Sequence, residues 1–236
     1  MKNDVLLIGG THGNERIGVE VLQTLEKRIT GFDWIIGNPP AFEQGTRIFE
    51  GDLNRSAPGD TNATTYAKRR AAELIELSQG YRYTIDLHGT DAYTGIFVIV
   101  TKPTPDNIHL ALRTGIPRVV IWPSFSPELA GPISEFVPCG VEIECGPQNM
   151  PLVREKLAYL LETFVTNLRS NATIDLKARR AQTTFYEVYG SLKNQELTQD
   201  LQEFTEITIE GETFSPLLVG RYQERNGITC YKMRRM

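Results

Sequence analysis

Val5-Leu6-Leu7-Ile8, followed by Gly9-Gly10-Thr11-His12-Gly13-Asn14-Glu15, is the stretch on which the fold turns. The apolar run has the length and composition of a buried strand. Beyond the glycines, Ile17, Val21, Leu22 and Leu25 recur at helical spacing. A glycine-rich turn between a strand and a helix lies at the carboxyl end of the strand, the edge where open α/β sheets take ligands. The turn carries an imidazole, His12, and a carboxylate, Glu15, which face the same way if Glu15 starts the helix. H-x-x-E in that place reads as two prongs of a metal clamp without its third ligand. The plainer alternative is a tight turn whose Glu15 complements a helix N-terminus. A phosphate cradle is disfavoured, because neither the dinucleotide fingerprint nor the P-loop is complete and no Lys-Ser/Thr follows.

Working outward, residues 32–36 form a second strand stopped by Gly37-Asn38-Pro39-Pro40. Residues 38–60 show little periodicity but carry spaced arginines, and an irregular segment of that length points to function. A helix is expected over 61–79, with Thr61 or Asn62 as cap. Tyr66, Leu74 and Leu77 face its core side, and Lys68, Arg69 and Arg70 face outward. Strands follow at 83–88, 95–100, 118–122 and 141–145, with a short helix at 105–114 and a loop at 123–138. The run 95–100 is apolar throughout and belongs in the sheet interior. A helix over 150–169 turns Leu152, Leu157, Leu160, Leu161, Phe164 and Leu168 inward. The alternation of strands and helices predicts an α/β layered domain over residues 1–171. From 172 the pattern changes to short strands at 185–189, 206–209, 217–219 and 228–231. Turns at Glu210-Gly211 and Asn226-Gly227 separate them, which predicts a small, mostly antiparallel β domain over 172–236.

Composition bounds the function. The 236 residues carry a net charge of -4, so there is no basic footprint for nucleic acid. No apolar run is long enough for a signal peptide or a bilayer span. Cys139, Cys145 and Cys230 form no C-x-x-C pair or disulfide framework, which fits a reducing, cytoplasmic setting. Arg234-Arg235 is most simply a solvated tail. Oligomeric state is left open, a homo-oligomer included.

Polar groups gather where apolar strands end. His12 and Glu15 follow the first strand, His88 ends the strand at 83–88, and Glu144 sits within the strand at 141–145. Two histidines and a glutamate with a fourth position open are a known catalytic zinc set. Asp86 is placed to orient a neighbour. His109, in mid-helix, is a surface or half-buried residue on its position alone. Glu144 is either a paired structural acid or a group that takes a proton from water and returns it to an amine. The loop at 38–60 adds Arg47, Asp52, Asn54 and Arg55. Arg47 could hold the oxyanion formed on attack at a carbonyl. Arg55 with Asn54 could bind a substrate carboxylate, because the guanidinium fork matches carboxylate geometry. Each arginine alone is equally a solvated surface charge.

The ordered set Gly9 to Glu15, Gly37-Asn38-Pro39 through Thr46-Arg47, Asp52-Leu53-Asn54-Arg55, Asp86-Leu87-His88 and Ile143-Glu144-Cys145-Gly146-Pro147-Gln148 resembles the aspartoacylase/succinylglutamate desuccinylase family. That family is related to the zinc carboxypeptidases. The resemblance covers roughly residues 5–150 and implies a hydrolase that cleaves the amide of a small anionic N-acyl amino acid. It implies one Zn2+ per chain, held by His12, Glu15 and His88. Glu144 is implied as general acid/base, Arg47 as carbonyl polariser, and Asn54 and Arg55 as holders of the substrate carboxylate. The implied fold is a zinc-carboxypeptidase-like mixed α/β sheet flanked by helices, with a small C-terminal β domain across the site. Tyr222 matches, across a gap, a substrate-contacting tyrosine of that C-terminal domain.

One departure bears on specificity. In aspartoacylase an arginine about ten residues before the catalytic glutamate recognises the aspartate side chain. Here that position is Ser134, and 131–138 contains no arginine or lysine. Strict N-acetylaspartate specificity is therefore in question. A carboxypeptidase or amidase acting on short peptides would use the same groups, and a non-catalytic zinc module would need Glu144 to be structural.

Overall fold

The computed structural model describes residues 3–124, 129–194, 201–223 and 227–236. Asn226 of the expected Asn226-Gly227 turn, and 125–128 of the expected loop, lie outside the described residues. The strands are β1 (Val5–Gly9), β2 (Asp33–Ile36), β3 (Tyr83–Gly89), β4 (Gly95–Val100), β5 (Arg118–Ile121), β6 (Gly140–Gly146), β7 (Thr184–Lys193), β8 (Ile207–Ile209), β9 (Glu212–Leu217) and β10 (Ile228–Arg235). The helices are α1 (Ile17–Leu25), α2 (Pro39–Gln44), α3 (Tyr66–Ser78), α4 (Pro105–Arg113), α5 (Ile133–Phe136), α6 (Pro151–Arg169) and α7 (Leu176–Ala181), with a 3-10 turn at Leu53–Arg55.

The strands form one mixed sheet in the order β2-β1-β3-β6-β4-β5-β7-β10-β9-β8. β2, β1, β3 and β6 run parallel, β4 runs against β6, and β5 and β7 are parallel to β4. The strands beyond residue 172 continue this sheet: β7 joins it along β5, β10 adds antiparallel to β7, and β9 adds antiparallel to β10.

Period-2 alternation decides what each face carries. One face takes Val5, Leu7, Ile85, Leu87, Val98, Val119, Val141 and Ile143, packed with Leu22, Leu110, Leu157 and Phe164 of α1, α4 and α6. The other face is divided. At the β1 end Leu6 and Ile8 meet Leu74 and Ile133 of α3 and α5. At the β4–β7 end Phe97, Ile99, Val120, Trp122 and Tyr186 meet Leu217, Leu218, Tyr231 and Met233. Between these two apolar clusters, the same parity puts Asp86, His88, Glu142 and Glu144 on β3 and β6. Register sets Asp86 beside Glu142 and His88 beside Glu144. Acids and imidazoles thus line the strip between two apolar clusters.

Several local expectations change. The α3 helix begins at Tyr66, because Asp60 closes a turn over Asn62 and Ala63, and the Glu50 carboxylate accepts from Tyr66 N. Arg70 does not face outward: its guanidinium donates to the Gly37 and Ile36 carbonyls, which β2 leaves unpaired as it ends. Leu77 and Leu152 are exposed at 40% and 67%, at positions where no neighbouring element covers the helix. Residues 39–44, expected to be irregular, form α2, since the Asn38 side chain accepts from Ala41 N and the two prolines start a helix as readily as they break a strand. Residues 133–136 are helical inside the expected loop. The strand expected at 217–219 ends at Leu217. Arg234 and Arg235 belong to β10, where Arg234 pairs with Glu187 across the strands, so they are not a tail.

Candidate metal and hydrolytic site

The turn after β1 is shaped by what packs on it. Gly10 holds φ +68. A Cβ on Gly13 would lie 2.1 Å from the Ala41 carbonyl carbon, so only glycine lets α2 sit this close. Gly13 N also donates to the Arg47 carbonyl at 3.2 Å. Together these contacts bring Arg47 over His12 and Glu15.

Glu15 lies at the centre. Its Oε1 is 2.9 Å from His12 Nδ1 and 2.7 Å from Arg47 Nη1. Its Oε2 is 2.9 Å from His88 Nδ1 and accepts from Gly89 N at 3.1 Å. The far ring nitrogens are held too. His88 Nε2 lies 3.1 Å from Asp86 Oδ2, and Asp86 Oδ1 accepts from Thr11 Oγ1 at 2.8 Å. His12 Nε2 lies 3.2 Å from Asp52 Oδ1 and 3.0 Å from Arg47 Nη2. All three ligand candidates are buried, and the rings of His12 and His88 stand 5.1 Å apart.

A divalent cation fits this set. One donor atom from each of His12, Glu15 and His88 lies within 4.8 Å of the other two. His12 Nδ1 is buried and, although 2.9 Å from Glu15 Oε1, makes no well-directed hydrogen bond, as fits a nitrogen and a carboxylate oxygen that share a cation. A carboxylate only accepts, so the ring nitrogen facing Asp86 carries a proton, and with a cation bound the nitrogen facing Glu15 would offer its lone pair to it. Imidazole oriented by a carboxylate behind it is the usual arrangement of a metal-binding histidine. Two imidazoles and a carboxylate suit zinc.

The charges are mutually supporting. Burial would raise the Glu15 carboxyl, but His12 and His88 outweigh it and hold it well below the usual carboxylate range. Burial would lower His88, but Asp86 and Glu15 outweigh it and hold the ring well above its ordinary value. An environment that favours a proton on that nitrogen also favours a metal cation there. Asp52 is depressed despite its burial, through His12 and Arg47. Glu144 behaves oppositely. Burial, then Glu15 and Glu142, push its carboxyl up to about 8 against His88 and Arg47. Two acids with their pKa values driven apart in one cleft match the pattern of a fixed ligand beside a proton carrier.

His12, Glu15, His88, Glu144, Arg47, Asn54, Arg55 and Tyr222 all line one cleft of about 610 Å3, counted to its open mouth. Asn54 is more constrained than its motif suggests. Its Nδ2 donates to Glu142 at 3.3 Å, and its Oδ1 accepts from Ile133 N at 3.2 Å. Ser134 donates to Glu142 at 3.0 Å, so the position lacking an arginine carries a buried hydroxyl instead. Sequence reading passed over Glu142, which alternation on β6 marks, and Arg221, which lines the cleft and pairs with Asp91 at 3.3 Å. It also passed over the apolar lining from Ile99, Trp122 and Leu129, which no motif marks.

The family model described as Succinylglutamate desuccinylase/Aspartoacylase catalytic domain matches residues 1–171. The chain belongs to that family. A probable aspartoacylase of Acaryochloris marina is 29% identical over 180 residues, covering 68% of this chain and 61% of the relative. An N-acyl-aromatic-L-amino acid amidohydrolase (carboxylate-forming) of Mus musculus is 28% identical over 189 residues, covering 70% of this chain and 59% of that protein. These matches span less than two thirds of the curated relatives' own length. The crystal structure of murine aminoacylase 3 superposes with a TM-score of 0.76 at 21% identity, over 99% of this chain and 95% of that one, which shows a shared fold. Among the described residues no helix is long and apolar enough to cross a membrane.

Proposed function

We propose that the protein is a zinc-dependent amidohydrolase that cleaves the amide of a small anionic N-acyl amino acid. The observation that carries this reading is the convergence of His12, Glu15 and His88 on one point, all three buried, in the cleft that also holds Glu144. Relatives described as aspartoacylase and as N-acyl-aromatic amino acid amidohydrolase support the same bond type. His12, Glu15 and His88 would hold the zinc, which when bound supplies Lewis acidity toward a water and an amide carbonyl.

The remaining steps belong to the side chains. Glu144 takes the proton of the attacking water and returns it to the departing amine nitrogen, and a carboxyl raised by burial suits both halves of that task. Arg47 stands beside His12 and Glu15, close enough for its guanidinium to stabilise the oxyanion that develops on the carbonyl. Arg55 holds the substrate carboxylate, and Asn54, tied to Glu142 and Ile133, keeps that arginine's turn in place. Tyr222 closes the cleft from the C-terminal side.

The test is a hydrolysis screen across N-acetyl amino acids with the zinc-loaded protein. Turnover that a chelator abolishes and zinc restores supports the reading. Absence of turnover with every substrate, in protein shown to hold zinc, overturns it.

A further inference from the structure

Alternation along β6 puts two acids on the cleft face, Glu142 and Glu144, about 7 Å apart along the strand. The reaction above employs only the second as a proton carrier. Glu142 is 5% exposed, and burying a carboxylate is costly unless hydrogen bonds offset it. Its Oε1 accepts from Asn54 Nδ2 at 3.3 Å and from Ser134 Oγ at 3.0 Å. Asn54 Oδ1 accepts from Ile133 N at 3.2 Å, which fixes the amide so that its NH2 is the side turned to Glu142. An apolar residue at 142 would avoid the cost of burying a charge, but would leave both donors without that acceptor.

We infer that Glu142 is a positioning residue for recognition of the substrate carboxylate: through Asn54 it fixes where Arg55 stands relative to Glu144. The inference rests on the hydrolase reading for the roles of Arg55 and Glu144. The link is continuous. Glu142 holds the Asn54 side chain, and the Asn54 carbonyl accepts from Arg55 Nη1. The turn that carries Arg55 is tied at its two ends as well, by Asp52 to His12 Nε2 at 3.2 Å and by Ala57 N to the Gly131 carbonyl at 3.1 Å. Those ties fix where the turn begins and ends. The Asn54 side chain fixes its middle to the strand of the proton carrier.

The chemistry of an N-acyl amino acid makes that spacing matter. Only the amide nitrogen and one carbon lie between the carbonyl that is attacked and the carboxylate. A carboxylate seated on Arg55 therefore delivers the amide nitrogen to one place, and Glu144 must stand there to return the proton. Glu142 and Glu144 share one strand, hydrogen-bonded to β3 on one side and β4 on the other. An anchor fastened to Glu142 is thereby registered against Glu144, and a misplacement of about 1 Å at such a site costs on the order of 10²-fold in rate. Ser134, whose Oγ lies 3.0 Å from Thr101 Oγ1, braces the same Glu142 oxygen from α5.

The experiment measures kcat and KM of the zinc-loaded protein for N-acetyl-Ala, -Met and -Asp, each against its α-amide, and binding of the same pairs in the Glu144→Gln background by calorimetry. The native protein should favour acid over amide at least about tenfold, the scale of a hydrogen bond to a charged group. Glu142→Met fills the space without an acceptor. It should cut that preference about tenfold, mainly by raising KM for the acid, and leave the amide nearly unchanged. Glu142→Gln keeps an acceptor oxygen and should retain most of the preference. Asn54→Ala removes the other end of the bond and should match Glu142→Met, with the double variant no worse than either. Asn54→Ala and Glu142→Gln still decide the matter if Glu142→Met does not fold. Equal losses on acid and amide in Glu142→Met, an unchanged preference in Glu142→Met or Asn54→Ala, or a Glu142→Gln protein as impaired as Asn54→Ala overturns the inference. So does a native protein that does not distinguish acid from amide, or that binds neither. Binding without hydrolysis sinks the hydrolase reading alone, since the binding ratios still decide the role of Glu142.

Discussion

His88 Nε2 lies 3.1 Å from Asp86 Oδ2, two residues back on the same face of β3, and Thr11 holds the other oxygen of that carboxylate. The strand itself therefore supplies both a candidate ligand and the group that aims it. Asp86→Ala should leave the three candidate ligands in place but weaken zinc about 10–100-fold, the usual effect of losing a ligand's orienting partner. Competition against a chromophoric chelator measures it, and unchanged affinity would mean that the ring is positioned by packing alone.

Glu144 gives two linked outcomes. Glu144→Gln should keep zinc at full stoichiometry while kcat falls about 10²–10⁴-fold, as for loss of a general acid/base. In the metal-free protein the same substitution should change the pH dependence of stability. A carboxyl held up to about 8 by burial and by Glu15 contributes stability that is fully present below its unfolded value and is lost as pH rises through about 8. The glutamine protein should therefore gain in Tm relative to the native one on going from pH 5 to pH 9, read by thermal melts across that range. A Tm difference that does not move with pH would show that Glu144 ionises freely in the fold.

Gly13 is where α2 presses on the turn, with room for a hydrogen and not for a methyl. Gly13→Ala should destabilise the fold by about 1–3 kcal/mol, the range for overpacking a close contact. It should also pull Arg47 away, because Gly13 N holds the Arg47 carbonyl. Denaturant melts report the first effect and turnover the second. Native stability would show that the close approach relaxes at no cost.

The roof of the cleft depends on Glu203. Its carboxylate accepts from Leu218 N at 2.9 Å and Val219 N at 2.8 Å, and Leu218 sits at φ +54. Leu218, Arg221 and Tyr222 of this turn line the cleft. Glu203→Ala leaves two backbone donors without their partner, at a cost of about 1–3 kcal/mol for each that is buried. The expected signature is a higher KM with kcat less affected, from steady-state kinetics. An unchanged KM would detach the turn from substrate binding.

The turn from Gly9 to Glu15, the strand ending at His88 and the alternation around Glu144 were legible because each is a local pattern, of period 2 or of one strand–turn–helix junction. The strand order was not legible. Nothing near Gly95 announces that β4 runs against β6 and so carries Ile99 to the side of Glu142. Arg70 and Leu77 show the same limit on α3: helical periodicity describes one helix, whereas the carbonyls that capture Arg70, of Ile36 and Gly37, lie at the end of β2, more than 30 residues away. The motif around Asn54 gives that residue to a substrate carboxylate and says nothing of its partners Glu142 and Ile133, which arrive from 88 and 79 residues on. Motifs reported which groups are present, and long-range packing decided which of them were still available to a ligand.

The central claim is that His12, Glu15 and His88 grip one divalent ion, and anomalous scattering at the zinc edge from crystals of the zinc-loaded protein tests it most directly. The account predicts a single peak per chain, about 2.0–2.2 Å from one ring nitrogen each of His12 and His88 and from a Glu15 carboxylate oxygen. A peak elsewhere, or none in crystals of protein that turns over substrate, would contradict it.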